Sequence, residues 1–320
     1  MKAFIRQAAL AARLVLAAVP VFAAAPAHAS DKLTVLLDWF VNPDHAPLVV
    51  AKEGGFFARH DLDIELIAPA DASAPPRLVA AGQADIAVTY QPDLMLQLKE
   101  GLPLVRIGTL IETPLNALIV LKDGPVKSLA DLKGRKVGYS VASLQEAYIG
   151  AILGSAGLTA KDVEMVNVNF NLTTALMSGQ VDAVIDGYRN FELTQLAIEG
   201  RPGLAFFPEE HGVPAYDELI YVTRRDLAAD PRMARFIAAV EEATVFLTNH
   251  PDEALALFLK AHPDLDDKLN RTAFADTLPR FAKRPAALDP GRYDRFARFL
   301  QERGLLDSVP LFESYAVAPR

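Results

Sequence analysis

Short apolar runs alternate with longer amphipathic segments from residue 33 onward. Runs at 33–37, 62–67, 85–89 and 104–110 read as strands, and the second alternates strictly at Leu62, Ile64 and Leu66. Between them, 46–57, 76–81 and 92–100 read as helices, the middle one opening on Pro76, where a helix tolerates proline. A second series follows, with strands at 136–139, 163–168 and 181–185 and helices at 144–155, 173–177 and 191–198. After about residue 226 the pattern turns helical, with candidates at 233–248, 253–261 and 292–303. Strands and helices alternating at these lengths predict an α/β fold with mostly parallel sheets.

The chain also repeats a phrase. Gly82-Gln83-Ala84-Asp85-Ile86-Ala87-Val88 leads to Tyr90, and Gly179-Gln180-Val181-Asp182-Ala183-Val184 leads to Tyr188, the two starting 97 residues apart. Each places a glycine where a helix ends, before a short strand that runs into a tyrosine. The shared Gly-Gln-x-Asp and terminal tyrosine predict two similar α/β lobes. Each lobe presents a tyrosine beyond a strand's carboxyl end, the edge where open α/β sheets bind ligands.

Composition narrows the function. The length of 320 residues suffices for two ordinary domains. The absence of cysteine excludes disulfides, a thiolate metal site and a cysteine nucleophile. A net charge of −8 opposes a nucleic-acid partner. Much of the 51% hydrophobic share lies at the front, where Lys2, Arg6 and Arg13 precede an apolar run at 14–25 and the Ala27-His28-Ala29 cleavage pattern. This reads as a signal peptide over 1–29, cleaved near Ala29-Ser30, and predicts export to the periplasm. The run is broken by Pro20 and is too short for a membrane span. Without it, 29 basic groups face 40 acidic ones, a net −11. No two of the six histidines lie three to five residues apart, and there is no Gly-x-Ser-x-Gly elbow or Walker loop. No catalytic residue, metal site or cofactor is expected.

The loop Asp38-Trp39-Phe40-Val41-Asn42-Pro43-Asp44-His45 joins the first strand to the first helix and holds the chain's single tryptophan. An aromatic face beside Asp38, Asn42 and His45 suits a flat polar heterocycle, which needs a stacking surface and partners along its edge.

This loop with Leu37, followed by Leu48-Val49-Val50-Ala51-Lys52-Glu53-Gly54-Gly55-Phe56-Phe57, resembles the opening of the NMT1/THI5-like family. The resemblance continues through Thr89-Tyr90-Gln91, Gly134-Arg135-Lys136-Val137-Gly138-Tyr139, Asp186-Gly187-Tyr188 and Glu192. That family contains periplasmic binding proteins of ABC importers and the fungal enzyme that makes the thiamin pyrimidine. Within it the chain is similar to the formylaminopyrimidine-binding members. The resemblance implies a type II periplasmic binding protein fold, two lobes with the ligand in the cleft between them. Lobe one is expected at 30–120 and 221–320 and lobe two at 121–220, with crossings near 120–127 and 218–223. It implies a monomeric solute-binding component that captures a thiamin-related aminopyrimidine and delivers it to an inner-membrane ABC permease. The fungal enzyme carries a cysteine-rich motif before a late strand. The corresponding stretch here, Gly212-Val213-Pro214-Ala215-Tyr216-Asp217, has no cysteine, which opposes that chemistry.

The expected ligand contacts follow from the same positions. Trp39 stacks on the ring, with Asn42 and His45 along its edge. Tyr90 and Tyr188 close on it from opposite lobes. Asp186 or Glu192 accepts from its amino group. Tyr139, Ser140 and Glu146 surround the start of a lobe-two helix, a favourable place for a polar ligand group. Tyr216, Asp217 and Glu112 complete the set. Structural roles stand beside these: Asn42 as a helix cap, Asp186 as a turn residue before Gly187, Glu192 on a solvated helix face. Val41, Pro47 and Tyr188 depart from the usual family pattern, so riboflavin, an aromatic acid, a sulfonate or nitrate stay open as ligands. An anion needs a cation in the cleft, and Arg189 is the residue placed to supply it.

Overall fold

The computed structural model describes residues 30–320, and of residues 143–147 the backbone alone. The signal peptide expected at 1–29 and the side chain of Glu146 therefore lie outside the described residues. Ten strands run in chain order: β1 (Asp31–Leu36), β2 (Leu62–Ile67), β3 (Ile86–Thr89), β4 (Leu104–Ile111), β5 (Asn116–Leu121), β6 (Lys136–Tyr139), β7 (Glu164–Asn167), β8 (Ala183–Tyr188), β9 (Gly203–Phe206) and β10 (Leu219–Arg224). They form two five-stranded sheets, ordered β2-β1-β3-β10-β4 and β7-β6-β8-β5-β9. In each sheet four strands share one direction, and the strand arriving from the other lobe, β10 or β5, runs against its neighbours. The two sheets thus have one topology.

The repeated phrase is the backbone solution common to both. Helices α1 (Ala46–Glu53), α2 (Phe56–Arg59) and α3 (Pro75–Ala80) belong to the first lobe, as does α4 (Gln91–Lys99). In the second lobe lie α5 (Ala142–Gly154), α6 (Leu172–Met177) and α7 (Glu192–Ile198). Gly82 ends α3 at φ +74° and Gly179 ends α6 at φ +73°. Each glycine amide donates three residues back, to Val79 or Leu176, and each following glutamine amide donates five back, to Leu78 or Ala175. The left-handed turn then feeds β3 or β8 into the centre of its sheet. A side chain at either glycine is opposed by that positive φ.

The lobe boundaries differ from the expected ones. β5 belongs to the second sheet, so the first crossing lies at 112–115, upstream of the expected 120–127. The second lies at 207–218, just before β10 rejoins the first sheet. All six residues of β5 are buried, so no alternation marks the segment and nothing in its pattern says which sheet takes it.

Four C-terminal helices complete the first lobe: α8 (Pro231–Asn249), α9 (Pro251–Ala261), α10 (Lys268–Thr277) and α11 (Pro290–Glu302). α8 buries Met233, Phe236, Ile237, Val240, Ala243, Thr244 and Leu247, a stripe at helical spacing that packs on α1 and α2. α10 lies against the loop before α1 and also meets α7 of the second lobe. Among the described residues no helix is long and apolar enough to cross a membrane.

Candidate functional site

A narrow cleft, with free space of about 20 Å³, opens between the lobes at the carboxyl ends of β1, β3 and β8. The first lobe contributes Asp38, Trp39, Asn42 and Asp44 from the loop after β1, and Tyr90 from the end of β3. The second contributes Asn116 at the start of β5 and Val141 at the start of α5. Asp186 and Tyr188 from β8, with Phe191 and Glu192 at the start of α7, finish the wall.

Asp38 organises the first-lobe side. Its Oδ1 lies 2.9 Å from His45 Nε2, and its Oδ2 accepts from the Tyr90 hydroxyl at 3.0 Å. His45 Nδ1 accepts from the Asn42 amide at 3.3 Å, so Nε2 carries the proton and donates to Asp38. Asn42 Oδ1 accepts from the Asp44 amide at 2.8 Å, closing a capping box around the turn Pro43–His45. The loop is held rigid by its own side chains, and Trp39 is fixed on it. Asp44 then reaches back: its Oδ1 accepts from Asn190 Nδ2 at 2.6 Å, across the cleft, and lies 2.9 Å from Thr277 Oγ1. Burial raises the Asp44 carboxyl to about 6, against the pull of Thr277, His45 and Asn190 toward ionisation.

The second-lobe side is built on Asp186. This residue sits at φ +69°, in the left-handed region that aspartate tolerates better than most side chains. Its Oδ2 accepts from the Ser140 and Val141 amides, both at 3.0 Å, and its Oδ1 from Asn116 Nδ2 at 3.2 Å. Burial still pushes its pKa up. Gly187 follows because a Cβ there meets Ile119 at 2.7 Å. Glu192 Oε2 accepts from the Tyr188 amide at 2.6 Å, and burial raises this carboxyl to about 7.

Aromatic rings close the mouth. Trp39 meets Phe170 of the second lobe edge-on, with centroids 4.5 Å apart, and Phe40 contacts both Phe170 and Phe191. Behind the cleft, Glu218 on the second crossing accepts from the Asn116 amide at 2.9 Å and from the Leu115 amide on the first crossing. It also accepts from the Tyr216 hydroxyl at 3.1 Å. Burial raises Glu218 to about 7.

Of the residues expected from sequence, Trp39, Asn42, Tyr90, Asp186, Tyr188 and Glu192 meet in this cleft. Glu192 is buried, which corrects the solvated-face alternative. Others stand elsewhere. His45 is wholly buried behind the loop and supports it through Asp38. Ser140 offers its amide to Asp186 while its hydroxyl is spent on the Asn169 carbonyl. Tyr139 is half-buried at the end of β6, away from the lining. Glu112 is exposed on the first crossing. Tyr216 packs between Tyr148 and Phe296, its hydroxyl on Glu218. Asp217 is tied to Arg292, to Thr109 Oγ1 at 2.8 Å and to the Tyr293 hydroxyl at 3.0 Å, all inside the first lobe. Arg189 turns from the cleft to pair with Glu209 at 2.6 Å and lies over the Phe207 ring. Asp44, Asn116, Val141 and Phe191 were not expected. Asp44 stands inside the signature loop and could have been found there; Asn116 sits in the unmarked strand β5.

The NMT1/THI5-like family model matches residues 42–254. A Haemophilus influenzae protein named for thiamine biosynthesis is 50% identical over 91% of this chain and 93% of its own length. The formylaminopyrimidine-binding protein of Halalkalibacterium halodurans is 33% identical over 81% of this chain and 79% of its own. A 4-amino-5-hydroxymethyl-2-methylpyrimidine phosphate synthase of Legionella pneumophila is 26% identical, covering 87% of this chain and 88% of that one. Among solved structures, the alkanesulfonate-binding protein SsuA of Xanthomonas axonopodis pv. citri superposes with a TM-score of 0.72. It is 15% identical, over 90% of this chain and 98% of its own.

Proposed function

The chain belongs to the NMT1/THI5-like family and has the fold of periplasmic binding proteins, and on that premise we propose that it captures a thiamin-related aminopyrimidine and delivers it to an ABC permease. One observation carries the choice of ligand: among the described residues the cleft is lined by four carboxyl side chains, Asp38, Asp44, Asp186 and Glu192, and by no lysine or arginine. Such a lining receives hydrogen-bond donors and repels sulfonate, nitrate or an aromatic carboxylate. Arg189, the residue that an anion requires, is committed to Glu209. Trp39, Tyr90, Tyr188 and Phe191 supply faces and edges for a planar ring. The two crossings act as the hinge about which the lobes close, and the closed form is what the permease recognises.

The alternative of pyrimidine synthesis is opposed by the sequence, which has no cysteine for the thiolate motif of the fungal enzyme. The test is a titration with 4-amino-5-aminomethyl-2-methylpyrimidine and its N-formyl derivative, read by Trp39 emission and by melting temperature. Because Trp39 is the chain's single tryptophan, the emission reports on the cleft. A saturable change with both readouts is expected. Stabilisation by an alkanesulfonate with indifference to both pyrimidines overturns the reading.

A further inference from the structure

Two buried oxygens on the cleft residues have no hydrogen-bond partner: Asp44 Oδ2 and Asn116 Oδ1. Both are acceptors, and they stand on opposite lobes. Each is free because the other end of its side chain is engaged. Asn116 gives its amide nitrogen to Asp186, which leaves Oδ1 without a donor. Asp44 spends Oδ1 on Asn190 and Thr277 and leaves Oδ2 bare, although the residue is only 2% exposed. A buried acceptor without a donor is rare in folded proteins, and in a cleft it marks where a ligand donor belongs. The other carboxyls are better satisfied: Asp186 holds three donors, and Asp38 holds His45 and Tyr90.

We propose that Asp44 is the specificity-determining residue of the cleft, its free Oδ2 receiving an N–H of the ligand's exocyclic amine and so selecting amino- over oxo-substituted heterocycles, with Asn116 Oδ1 as the second acceptor. This rests on the aminopyrimidine reading above and names the residue that enforces it. An oxo substituent turns a lone pair toward a carboxylate and leaves both buried oxygens unpaired, which is how a polar site rejects a near-isostere. The same carboxyl joins the lobes. A donor on Oδ2 favours the ionised form of Asp44, and the ionised form strengthens the bond from Asn190 across the cleft. Recognition and closure therefore meet on one side chain.

The test compares 4-amino-2-methylpyrimidine with 2-methylpyrimidin-4-one as probes, with dissociation constants measured calorimetrically for the wild type, Asp44→Asn and Thr277→Val. Asp44→Asn preserves shape and an oxygen for Asn190 while placing an NH₂ group where Oδ2 stands. The wild type is expected to prefer the amino probe by about 50-fold or more, and Asp44→Asn to lose or invert that preference. Of the two Asp44 oxygens Thr277→Val touches only the engaged one, besides its contacts to Asn190 and the Ala273 carbonyl, and it is expected to leave the ratio of the two constants unchanged; it keeps the test open should Asp44→Asn fail to fold. If the wild type prefers the amino probe and Asp44→Asn keeps the wild-type ratio, the assignment to Asp44 is overturned and the aminopyrimidine reading stands. A shifted ratio in Thr277→Val likewise overturns the assignment. If the wild type binds neither probe, the reading and the assignment fall together.

Discussion

Asp85 and Asp182 do the same thing in different lobes. Asp85 Oδ2 accepts from the Thr34 amide at 2.8 Å while its own amide donates to the Thr34 carbonyl at 3.1 Å. Asp182 does so with Lys136, at 3.0 and 2.8 Å. Each fastens the start of the central strand to its neighbour, far from the cleft. Asp85→Ala is therefore expected to cost about 1–2 kcal/mol of stability, the scale of an unpaired amide, and to leave ligand affinity unchanged. Urea unfolding beside a binding titration checks both halves; a loss of affinity without loss of stability contradicts this role.

Trp39 lines the cleft and meets Phe170 of the other lobe edge-on. Trp39→Ala is expected to weaken aminopyrimidine binding by about 1–3 kcal/mol, the range for bases stacked on aromatic side chains. Phe170→Ala keeps the stacking face and removes the edge contact across the mouth. It should shift the resting Trp39 emission and change affinity less than Trp39→Ala does. Fluorescence titration of both variants gives the comparison.

Four buried carboxyls set a pH dependence, and one of them, Asp186, is pushed up by burial. Asp44 is raised to about 6 from 3.8, and Glu192 and Glu218 to about 7 from 4.5. Between the ordinary and raised values the unfolded chain has lost protons that the folded protein keeps. Stability from these groups is thus fully present below about pH 4 and falls as pH rises toward 7. Carboxyls with lowered values, such as Asp131 and Asp162, titrate below 3.8 and stay silent above pH 5. The ligand-free protein should melt higher at pH 5.5 than at pH 8, by at least about 2 °C, the shift that roughly 1 kcal/mol produces in a chain of this size. Glu192→Gln should flatten the slope. A melting temperature that rises with pH across this window contradicts the assignment.

Glu218 ties the crossings together through the Leu115 and Asn116 amides. Glu218→Ala strands both donors in the interior and is expected to cost about 2–4 kcal/mol. Glu218→Gln keeps one acceptor oxygen and should cost less. Denaturant unfolding of the pair measures the difference, and equal losses would show that the acceptor is not what matters.

The sequence carried the alternation of strands and helices because each lobe spaces its elements regularly, and the phrase at Gly82 and Gly179 because one backbone turn solves one problem twice. It carried the cleft where side chains cluster in a loop, as at Trp39 and Asn42, or follow a central strand, as at Tyr90 and Tyr188. It did not carry β5, whose uniform burial erases periodicity, and with β5 went Asn116. Tyr216 and Asp217 are expected in the cleft because they stand where the enzyme relatives carry their cysteine motif. Their partners Tyr148, Arg292 and Tyr293 come from distant helices, and no local pattern announces such pairings.

The placement of β10 between β3 and β4 has a consequence for how the molecule is assembled. All five strands of the second sheet lie within 116–206, so that sheet can form as soon as its own stretch of chain is free. The first sheet lacks the strand that joins β4 to β3 until 219–224 arrives. The lobe that begins first is completed last, and the loop bearing Trp39 and Asp44 gains its final support only when α10 brings Thr277 against it. The contacts that hold the ligand cleft are therefore complete only once the chain has run to residue 277.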